Sequence, residues 1–260
     1  SFIPSPKSIY SNISKLIPAS ILCVDFQKKS QKISSYWSLE NTKKLTNHSN
    51  FNSQGEILNE LHQKLDAAVS DQTLADVPVG AFLSGGIDSS LIAALMQNHS
   101  NKPINTFSLG FSEPAYDESK YARAVSKQLC TNHTELIVSP TKLIDALPKM
   151  SHIYDEPFAD SSQLPTFLVS NLARKDVKVA LSGDGGDEVF GGYNRYRWAN
   201  SVWDKMGYFP LWFRRALSLI VSTPSENKIN QIYSLIECII PMRYKMRLPG
   251  EKIQKVSMTL

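Results

Sequence analysis

The sequence predicts an α/β protein with a doubly wound, mostly parallel sheet and an all-helical C-terminal extension. Between residues 79 and 183, short apolar segments alternate with amphipathic segments of about a dozen residues, the pattern of parallel βαβ units. Two of the apolar segments run straight into glycine-rich turns, and from about residue 195 the apolar residues recur only at helical spacing. Strands are expected at 79–84, 104–111, 133–139 and 177–183, and helices at 88–98, 117–130, 141–153 and 162–174.

The segment before this alternation has a different pattern. Residues 20–37 are expected to form two short strands around a polar turn, and residues 38–52 are polar and typical of a linker. A helix is expected to begin after Ser53, because Glu56 follows three residues later in the spacing of a capping box. The apolar residues of this helix recur at helical intervals: Ile57, Leu58, Leu61, Leu65, Ala68 and Val69.

The C-terminal extension is basic. From residue 193 onward there are eleven Lys/Arg against four Asp/Glu, a balance of +7, whereas the whole chain carries +4. The charges are scattered among apolar residues at helical spacing, which favours solvated faces of amphipathic helices over a surface for nucleic acid or membrane. Neither partner is therefore expected, and breaks between the helices are expected at Pro210, Pro224 and Pro241.

Composition is that of a soluble globular protein. The 260 residues suffice for one large domain plus an appendage, and no apolar run approaches the ~20 residues that span a bilayer. Cys23, Cys130 and Cys238 lie far apart with no metal-ligand spacing, which favours a reducing, cytoplasmic setting. The chain begins with Ser1 and no signal-peptide pattern, so it is expected to be a fragment of a longer protein.

The first glycine-rich turn, "LSGGIDSS" at 83–90, has the composition of an anion site. Its glycines let main-chain N–H groups approach an anion, and the serines and the following helix N-terminus add donors. Asp88 would repel a phosphate unless Mg²⁺ bridges the two. The alternative is a plain βα turn in which Asp88 caps the helix.

The second turn, "LSGDGGDEVFGGY", places Asp184, Asp187 and Glu188 within five residues. Three acids on one turn repel each other unless a cation sits among them, although a solvated acidic turn is the alternative. Neither turn is a Walker P-loop or a complete G-x-G-x-x-G. Because both follow strands, a shared magnesium–nucleotide site is expected at the carboxyl edge of the sheet. The acidic, hydroxyl-rich segment "YDEPFADSSQLP" at 154–165 is a candidate substrate loop.

These motifs carry a resemblance to a known family. "LSGGIDSS" is similar to the pyrophosphate loop of the N-type ATP pyrophosphatases. Together with "YDESKYARAVS", "HIYDEPFADSSQLPT" and "ALSGDGGDEVFGGYNRY", it resembles the synthetase domain of glutamine-dependent asparagine synthetases over about residues 54–200. The start of the chain resembles the junction after that family's glutaminase domain. Residues 1–52 are thus expected to be the tail of that domain and a linker, and 53–260 the synthetase domain.

The resemblance implies a reaction and its participants. MgATP would activate the side-chain carboxylate of aspartate as β-aspartyl-AMP, and ammonia, released from glutamine by the glutaminase domain, would displace AMP. The small-molecule partners would be aspartate, ATP and ammonia. Whether the protein forms a homodimer is left open. By motif, Asp184 and Asp88 would be catalytic, and Asp88 and Asp187 would bind Mg²⁺. The residues implied to bind ATP or pyrophosphate are Leu83, Ser84, Gly85, Gly86, Asp88, Ser89, Ser90, Leu109, Ser182 and Gly183.

Two departures from the family pattern leave alternatives open. Asp184 stands where better-known members have Glu, and the chain stops before a later segment and its phosphate-contacting lysine. The fragment alone is therefore expected to be inactive. A relative that amidates a sugar acid and a β-lactam-synthetase-like cyclase both share the ATP chemistry. A tRNA-modifying enzyme and a nucleotide-binding fragment without catalysis are further alternatives.

Overall fold

A computed structural model provides the structure. It describes residues 2–46, 53–113, 117–193, 196, 203–204, 208–210, 212–215, 219, 226–236 and 250. The chain divides into two compact units, Ser1–Asp184 and Gly185–Leu260. The boundary predicted near residue 52 concerns a preceding domain and stays a prediction.

A four-stranded parallel sheet forms the centre of the first unit. Its order is β5-β4-β3-β6, so that β3, which precedes the first glycine-rich turn, lies beside β6, which precedes the second. Ala81 of β3 pairs with Thr106 on one side and Leu181 on the other. The strands are β3 (Val79–Phe82), β4 (Asn105–Phe111), β5 (Asn132–Val138) and β6 (Val179–Leu181).

Helices cover both faces of this sheet. The helices are α2 (Gln54–Thr73), α3 (Ile87–Asn98), α4 (Ser119–Leu129) and α7 (Gln163–Ala173). Ala81 packs with residues of α2 and α3, whereas its neighbour Phe82 packs with residues of α7. Because successive residues of a strand point to opposite faces, these helices lie on opposite sides. The predicted doubly wound α/β fold is therefore confirmed.

The N-terminal hairpin is also as predicted. Strands β1 (Ser20–Asp25) and β2 (Ser30–Ser35) pair antiparallel, with Ser20 opposite Ser35. Their apolar side chains are largely exposed, as the half-exposed Ile21 and Ile33 illustrate. This two-stranded sheet is separate from the parallel sheet.

The segment predicted as a linker, 38–52, contains a helix that was not predicted, and its role as a linker stays a prediction. Helix α1 occupies Leu39–Thr46, and residues 47–52 lie outside the described residues. The helix starts at this point because the Ser38 hydroxyl accepts a hydrogen bond from the Asn41 amide at 3.2 Å. Ser38 is therefore an N-cap, and it pairs an N–H group of the first turn that has no acceptor within the helix. Its polar composition hides it from a search based on apolar periodicity.

The helix predicted at 141–153 is interrupted. It consists of α5 (Pro140–Ala146), a 3-10 turn (Leu147–Lys149) and α6 (Met150–Ile153). Pro148 lies in the turn; it has no N–H to donate, and its ring clashes with the carbonyl four residues before it. The proline therefore explains the tighter turn at this point.

Most of the described residues of the second unit are helical, and 191–193 and 208–210 are not. A short helix, α8 (Gly186–Phe190), follows the second glycine-rich turn, and α9 occupies Glu226–Ile236. Both agree with the predicted helical extension, whereas the breaks predicted at Pro224 and Pro241 lie outside the described residues. Within the described ranges, no helix combines the length and apolar character needed to cross a bilayer.

Candidate active site

The first glycine-rich turn is a compact hydroxyl and main-chain network between β3 and α3. The Ser84 and Ser89 hydroxyls lie 2.9 Å apart, and the Ser84 amide donates to the Ser89 hydroxyl at 3.2 Å. The Gly86 amide donates to the Ser84 hydroxyl at 3.2 Å. These bonds fold the turn back over the start of α3, and its binding of phosphate stays a prediction.

Two polar groups of this turn have no partner among the described residues. The Ser90 hydroxyl is buried and makes no hydrogen bond. Asp88 lies inside the first turn of α3, and the N-cap is Gly86, which has no side chain to cap the helix. Asp88 is therefore not the helix cap of the alternative interpretation, and its half-buried carboxylate remains available to a ligand.

Gly85 is required by the backbone of the turn. Its φ is +80°, which L-residues with a side chain rarely adopt, and a Cβ there would lie 2.5 Å from the Ala122 amide nitrogen. The start of α4 thus packs directly on the glycine-rich turn. A conformational and a steric requirement coincide at this position.

The second turn lies against the first. A Cβ on Gly183 would come within 2.7 Å of the Ser89 nitrogen and 3.0 Å of the Asp88 Cβ. The glycine therefore allows the end of β6 to touch the first turn of α3. Beyond it, the Ser182 hydroxyl donates to Asp184 Oδ2 at 3.0 Å and accepts from the Asp184 amide at 3.3 Å. The predicted residues Asp88, Ser89, Ser182, Gly183 and Asp184 are thus brought together.

The two leucines among the residues predicted to bind ATP differ in their exposure. Leu83 is only 1% exposed and packs with Ala93 and Ala122. Any contact between Leu83 and a nucleotide would therefore have to come from its main chain, whose N–H is already bonded to the Phe107 carbonyl at 2.8 Å. Leu109, two residues farther along β4, is partly exposed.

The remaining predicted acids lie in the second unit. Asp187 and Glu188 are in the first turn of α8, and Glu188 accepts a hydrogen bond from the Tyr193 hydroxyl at 2.6 Å. Gly185, the N-cap of this helix, has a φ of +92°. The metal role of Asp187 stays a prediction.

A buried polar network beneath β4 was not predicted. The ring of His133 bonds through Nδ1 to the Thr106 hydroxyl at 2.9 Å and through Nε2 to the Ser108 hydroxyl at 3.1 Å. Burial lowers the pKa of His133, because desolvation disfavours the imidazolium. The strand at 104–111 was interpreted as apolar, but Thr106 and Ser108 alternate along it. These two hydroxyls on one face were the sequence signal that could have predicted the network. The network ties β4 to β5 just before Leu109.

Two aspartates hold the loops that precede α4 and α7. Asp117 Oδ1 accepts from the Phe111 and Ser119 amides at 3.3 and 3.1 Å, joining the end of β4 to the start of α4. Asp160 Oδ1 accepts from the amide and the hydroxyl of Ser162, both at 2.8 Å, just before α7. Hydrogen bonds from Ser119 and Ser162 lower the pKa values of Asp117 and Asp160 respectively.

The described residues contain no group of three His, Cys, Asp or Glu side chains that could hold a metal alone. Magnesium is commonly held by one or two carboxylates together with substrate phosphates. The unpartnered Asp88 carboxylate beside a glycine- and serine-rich turn fits that second arrangement.

Comparison with known proteins identifies the family of the chain. The family model described as asparagine synthase matches residues 60–250. The chain belongs to the asparagine synthase family.

Relatives in this family are much longer than the chain. A Methanocaldococcus jannaschii protein named asparagine synthetase (glutamine-hydrolyzing) 2 is 43% identical over 201 residues, covering 75% of this chain and 38% of that protein. Asparagine synthetase (glutamine-hydrolyzing) 1 of Bacillus subtilis is 31% identical over 200 residues, covering 75% and 30% respectively. The chain thus spans less than half the length of these two relatives.

Solved structures give a distant likeness. An NH3-dependent NAD synthetase from Campylobacter jejuni matches 77% of this chain and 94% of that chain at 13% identity, with a TM-score of 0.38. A glutamine-dependent NAD+ synthetase from Acinetobacter baumannii, in complex with ADP, matches 90% and 47% at 14% identity, with a TM-score of 0.39.

Proposed function

We propose that this chain is the synthetase part of an enzyme that activates a carboxylate with MgATP and transfers ammonia to it. The observation that carries the proposal is the contact of Gly183 with Asp88 and Ser89, which joins two glycine-rich strand ends into one edge. Membership of the asparagine synthase family supports the same chemistry. We also place the reaction in the cytoplasm, as the sparse cysteines suggest.

The first turn would bind the phosphates of ATP. The Gly85 amide and the unpartnered Ser90 hydroxyl supply donors, and the N-terminus of α3 favours an anion. The Gly86 amide and the Ser84 and Ser89 hydroxyls would exchange their present hydrogen bonds within the turn for bonds to the phosphates. The adenosine would lie toward Leu109, Ser182 and Gly183, with Leu83 contributing main chain alone.

Asp88 and Asp187 would hold Mg²⁺, which would neutralise charge on the departing pyrophosphate. Because Asp88 has no partner among the described residues, it can turn its carboxylate to a cation without breaking a protein contact. Each acid is assigned by its motif.

The reaction assigned to this site is the conversion of aspartate to asparagine. The side-chain carboxylate of aspartate attacks the α-phosphorus of ATP, which forms β-aspartyl-AMP and releases pyrophosphate. Ammonia then attacks the acyl carbon, AMP leaves, and one proton must be removed from the nitrogen. Asp184 is assigned as the base, because its carboxylate lies beside Gly183 and is oriented by Ser182. Ammonia would come from glutamine through a glutaminase domain of the full-length protein.

Magnesium-dependent nucleotide binding is the first test. We expect titration calorimetry to show MgATP binding that weakens at least about tenfold in EDTA. Asp88→Asn and Asp187→Asn, tested separately, should each remove the magnesium dependence. Asp71→Asn is the matched control, since this exposed acid of α2 makes no hydrogen bond or ion pair to any described residue. Equal affinities with and without Mg²⁺ would contradict the metal role of both acids.

The chemistry is tested by ATP–pyrophosphate exchange in the full-length protein. Exchange should require aspartate, and Asp88→Asn should slow it by about 10² or more, because the contact strengthens as the phosphate bond breaks. Exchange supported by a sugar acid instead of aspartate, or cyclisation without ammonia, would identify a different acceptor. Asp184 is one methylene shorter than Glu, so such a change of acceptor is a specific outcome to measure.

A further inference from the structure

We propose that Glu156 is a positioning residue that couples the leading segment, residues 2–18, to the acidic loop, residues 154–162. One Glu156 carboxylate oxygen forms an ion pair with the Lys15 ammonium, and the other accepts a hydrogen bond from the Ile9 amide at 3.3 Å. The side chains of Lys15 and Glu156 are 34% and 18% exposed, so the pair is partly withdrawn from water. A charged pair so placed is screened less than one on the surface.

The leading segment folds around this same lysine. The Lys15 ammonium also donates to the Ile3 carbonyl at 2.8 Å, and the Lys15 amide donates to the Pro6 carbonyl at 2.9 Å. The Ser8 hydroxyl donates to the Ile13 carbonyl at 2.8 Å. The segment is therefore a closed loop whose shape and whose attachment to Glu156 both depend on Lys15.

Apolar burial contributes little to this attachment. Phe2, Ile9, Tyr10 and Ile13 are between 45% and 73% exposed. Within residues 2–18, Ile3, Ser8 and Lys15 are the most buried residues, and all three take part in the hydrogen bonds of the loop. Since the large apolar side chains face solvent, the polar contacts to Glu156 carry a large share of the docking.

The acidic loop connects the docked leading segment to helix α7, which begins near the candidate active site. Tyr154 and Phe158 pack edge to face at 4.7 Å, and the Gln163 amide group donates to the Phe158 and Asp160 carbonyls at 3.2 and 3.0 Å. The loop is thus tied to the first residue of α7. Because α7 leads back to the start of β6, its N-terminus lies at the carboxyl edge of the sheet, as do the Ser84 and Gly183 turns.

Undocking of the leading segment should therefore loosen the acidic loop. If the acidic loop contacts the acceptor carboxylate, a link that rests on the proposed function, Glu156 also affects the affinity for the acceptor. It does so through the position of the loop and without touching the reacting atoms. Lys15 and Glu156 then act as one unit, and removing either should have the same effect.

Hydrogen exchange measured by mass spectrometry on the 260-residue chain tests the coupling. Glu156→Gln and Lys15→Met should each speed exchange of amides in 8–16 and in 154–162 together, by about three- to tenfold, the range for losing one typical intramolecular hydrogen bond. Asp155→Asn is the matched control, because this neighbouring exposed acid makes no hydrogen bond or ion pair to any described residue. It should leave both regions unchanged. Faster exchange in the leading segment alone, or in neither region, overturns the proposal.

The second readout is the acceptor dependence of the full-length protein. Glu156→Gln should raise the KM for the acceptor by about threefold, with the KM for ATP and kcat unchanged, as expected for lost positioning rather than lost chemistry. A parental acceptor KM in this variant overturns the link to substrate. If the parental protein amidates no acceptor, the proposed function fails. The hydrogen-exchange experiment still decides whether Glu156 couples the leading segment to the acidic loop.

Discussion

At the scale of single residues, Gly183 joins the two glycine-rich turns. Gly183→Ala would place a methyl group 2.7 Å from the Ser89 nitrogen, in main chain that cannot swing aside. We expect a loss of about 1–3 kcal/mol in the free energy of unfolding, the cost of overpacking a close contact. Urea denaturation measures this loss, and ATP affinity should fall with it because the turns are forced apart.

Gly185 provides the matched comparison, because its constraint is conformational and not steric. Its φ is +92°, and a Cβ there would meet no atom within 4 Å. Asparagine tolerates positive φ better than alanine, so Gly185→Asn should be milder than Gly185→Ala. The order should reverse at Gly183, where only size matters. A Gly183→Ala protein as stable as the parent would contradict the contact between the turns.

Cys130 is a residue in an unfavourable backbone conformation. It follows α4 with a φ of 54°, while the Thr131 amide closes the helix on the Ser126 carbonyl at 3.0 Å. Cys130→Gly should therefore raise the free energy of unfolding by about 0.5–1 kcal/mol, measured by thermal denaturation under reducing conditions. Cys130→Ser keeps the Cβ and should be close to neutral; an equal gain in that variant would assign the effect to the thiol.

At the scale of elements, the His133 network makes the β4–β5 pair sensitive to pH. Burial lowers the folded pKa of His133 below its unfolded value of 6.5, outweighing Glu135, which raises it; Arg123 acts in the lowering direction. As pH falls, the unfolded chain binds this proton first, so the free energy of unfolding declines as pH drops through 6.5 toward the folded pKa. NMR titration and urea denaturation between pH 8 and 5 measure both quantities.

His133→Asn should flatten this decline, and His152→Gln, at an exposed histidine of α6, should not. The lowered pKa values of Asp117 and Asp160 act elsewhere: their stabilisation is present above 3.8 and lost as pH falls through their folded pKa values. A decline of the same steepness in His133→Asn would mean that other groups cause it.

Elements determined by local sequence were predictable, and those determined by side-chain detail were not. The helix after Ser53 was expected from its capping box, and the Ser53 hydroxyl does accept from the Glu56 amide at 3.2 Å. Helix α1 was missed because its residues are polar, and the break at Pro148 was missed because flanking apolar residues keep helical spacing. Periodicity detects a buried face, not a cap or a missing donor.

At the scale of the whole molecule, the location of the candidate site followed from topology. Parallel strands end at one edge, so two glycine-rich turns after β3 and β6 had to share that edge. The contact of Gly183 with Ser89 depends on β6 pairing directly with β3, a neighbour relation that no local pattern contains. The same holds for Glu156 and Ile9, which are 147 residues apart in the sequence.

The division of the chain predicts how it unfolds. Among the described residues there are three hydrophobic clusters, around Ile104, Phe107 and Leu83, and each is built from residues of the first unit. A fragment of residues 1–184, the first unit, should therefore fold alone and unfold cooperatively in urea. Ile104→Val should cost the fragment and the 260-residue chain the same, about 0.5–1.5 kcal/mol, because its packing partners are present in both. A smaller cost in the fragment, or unfolding without a cooperative transition, would show that the second unit completes the core of the first.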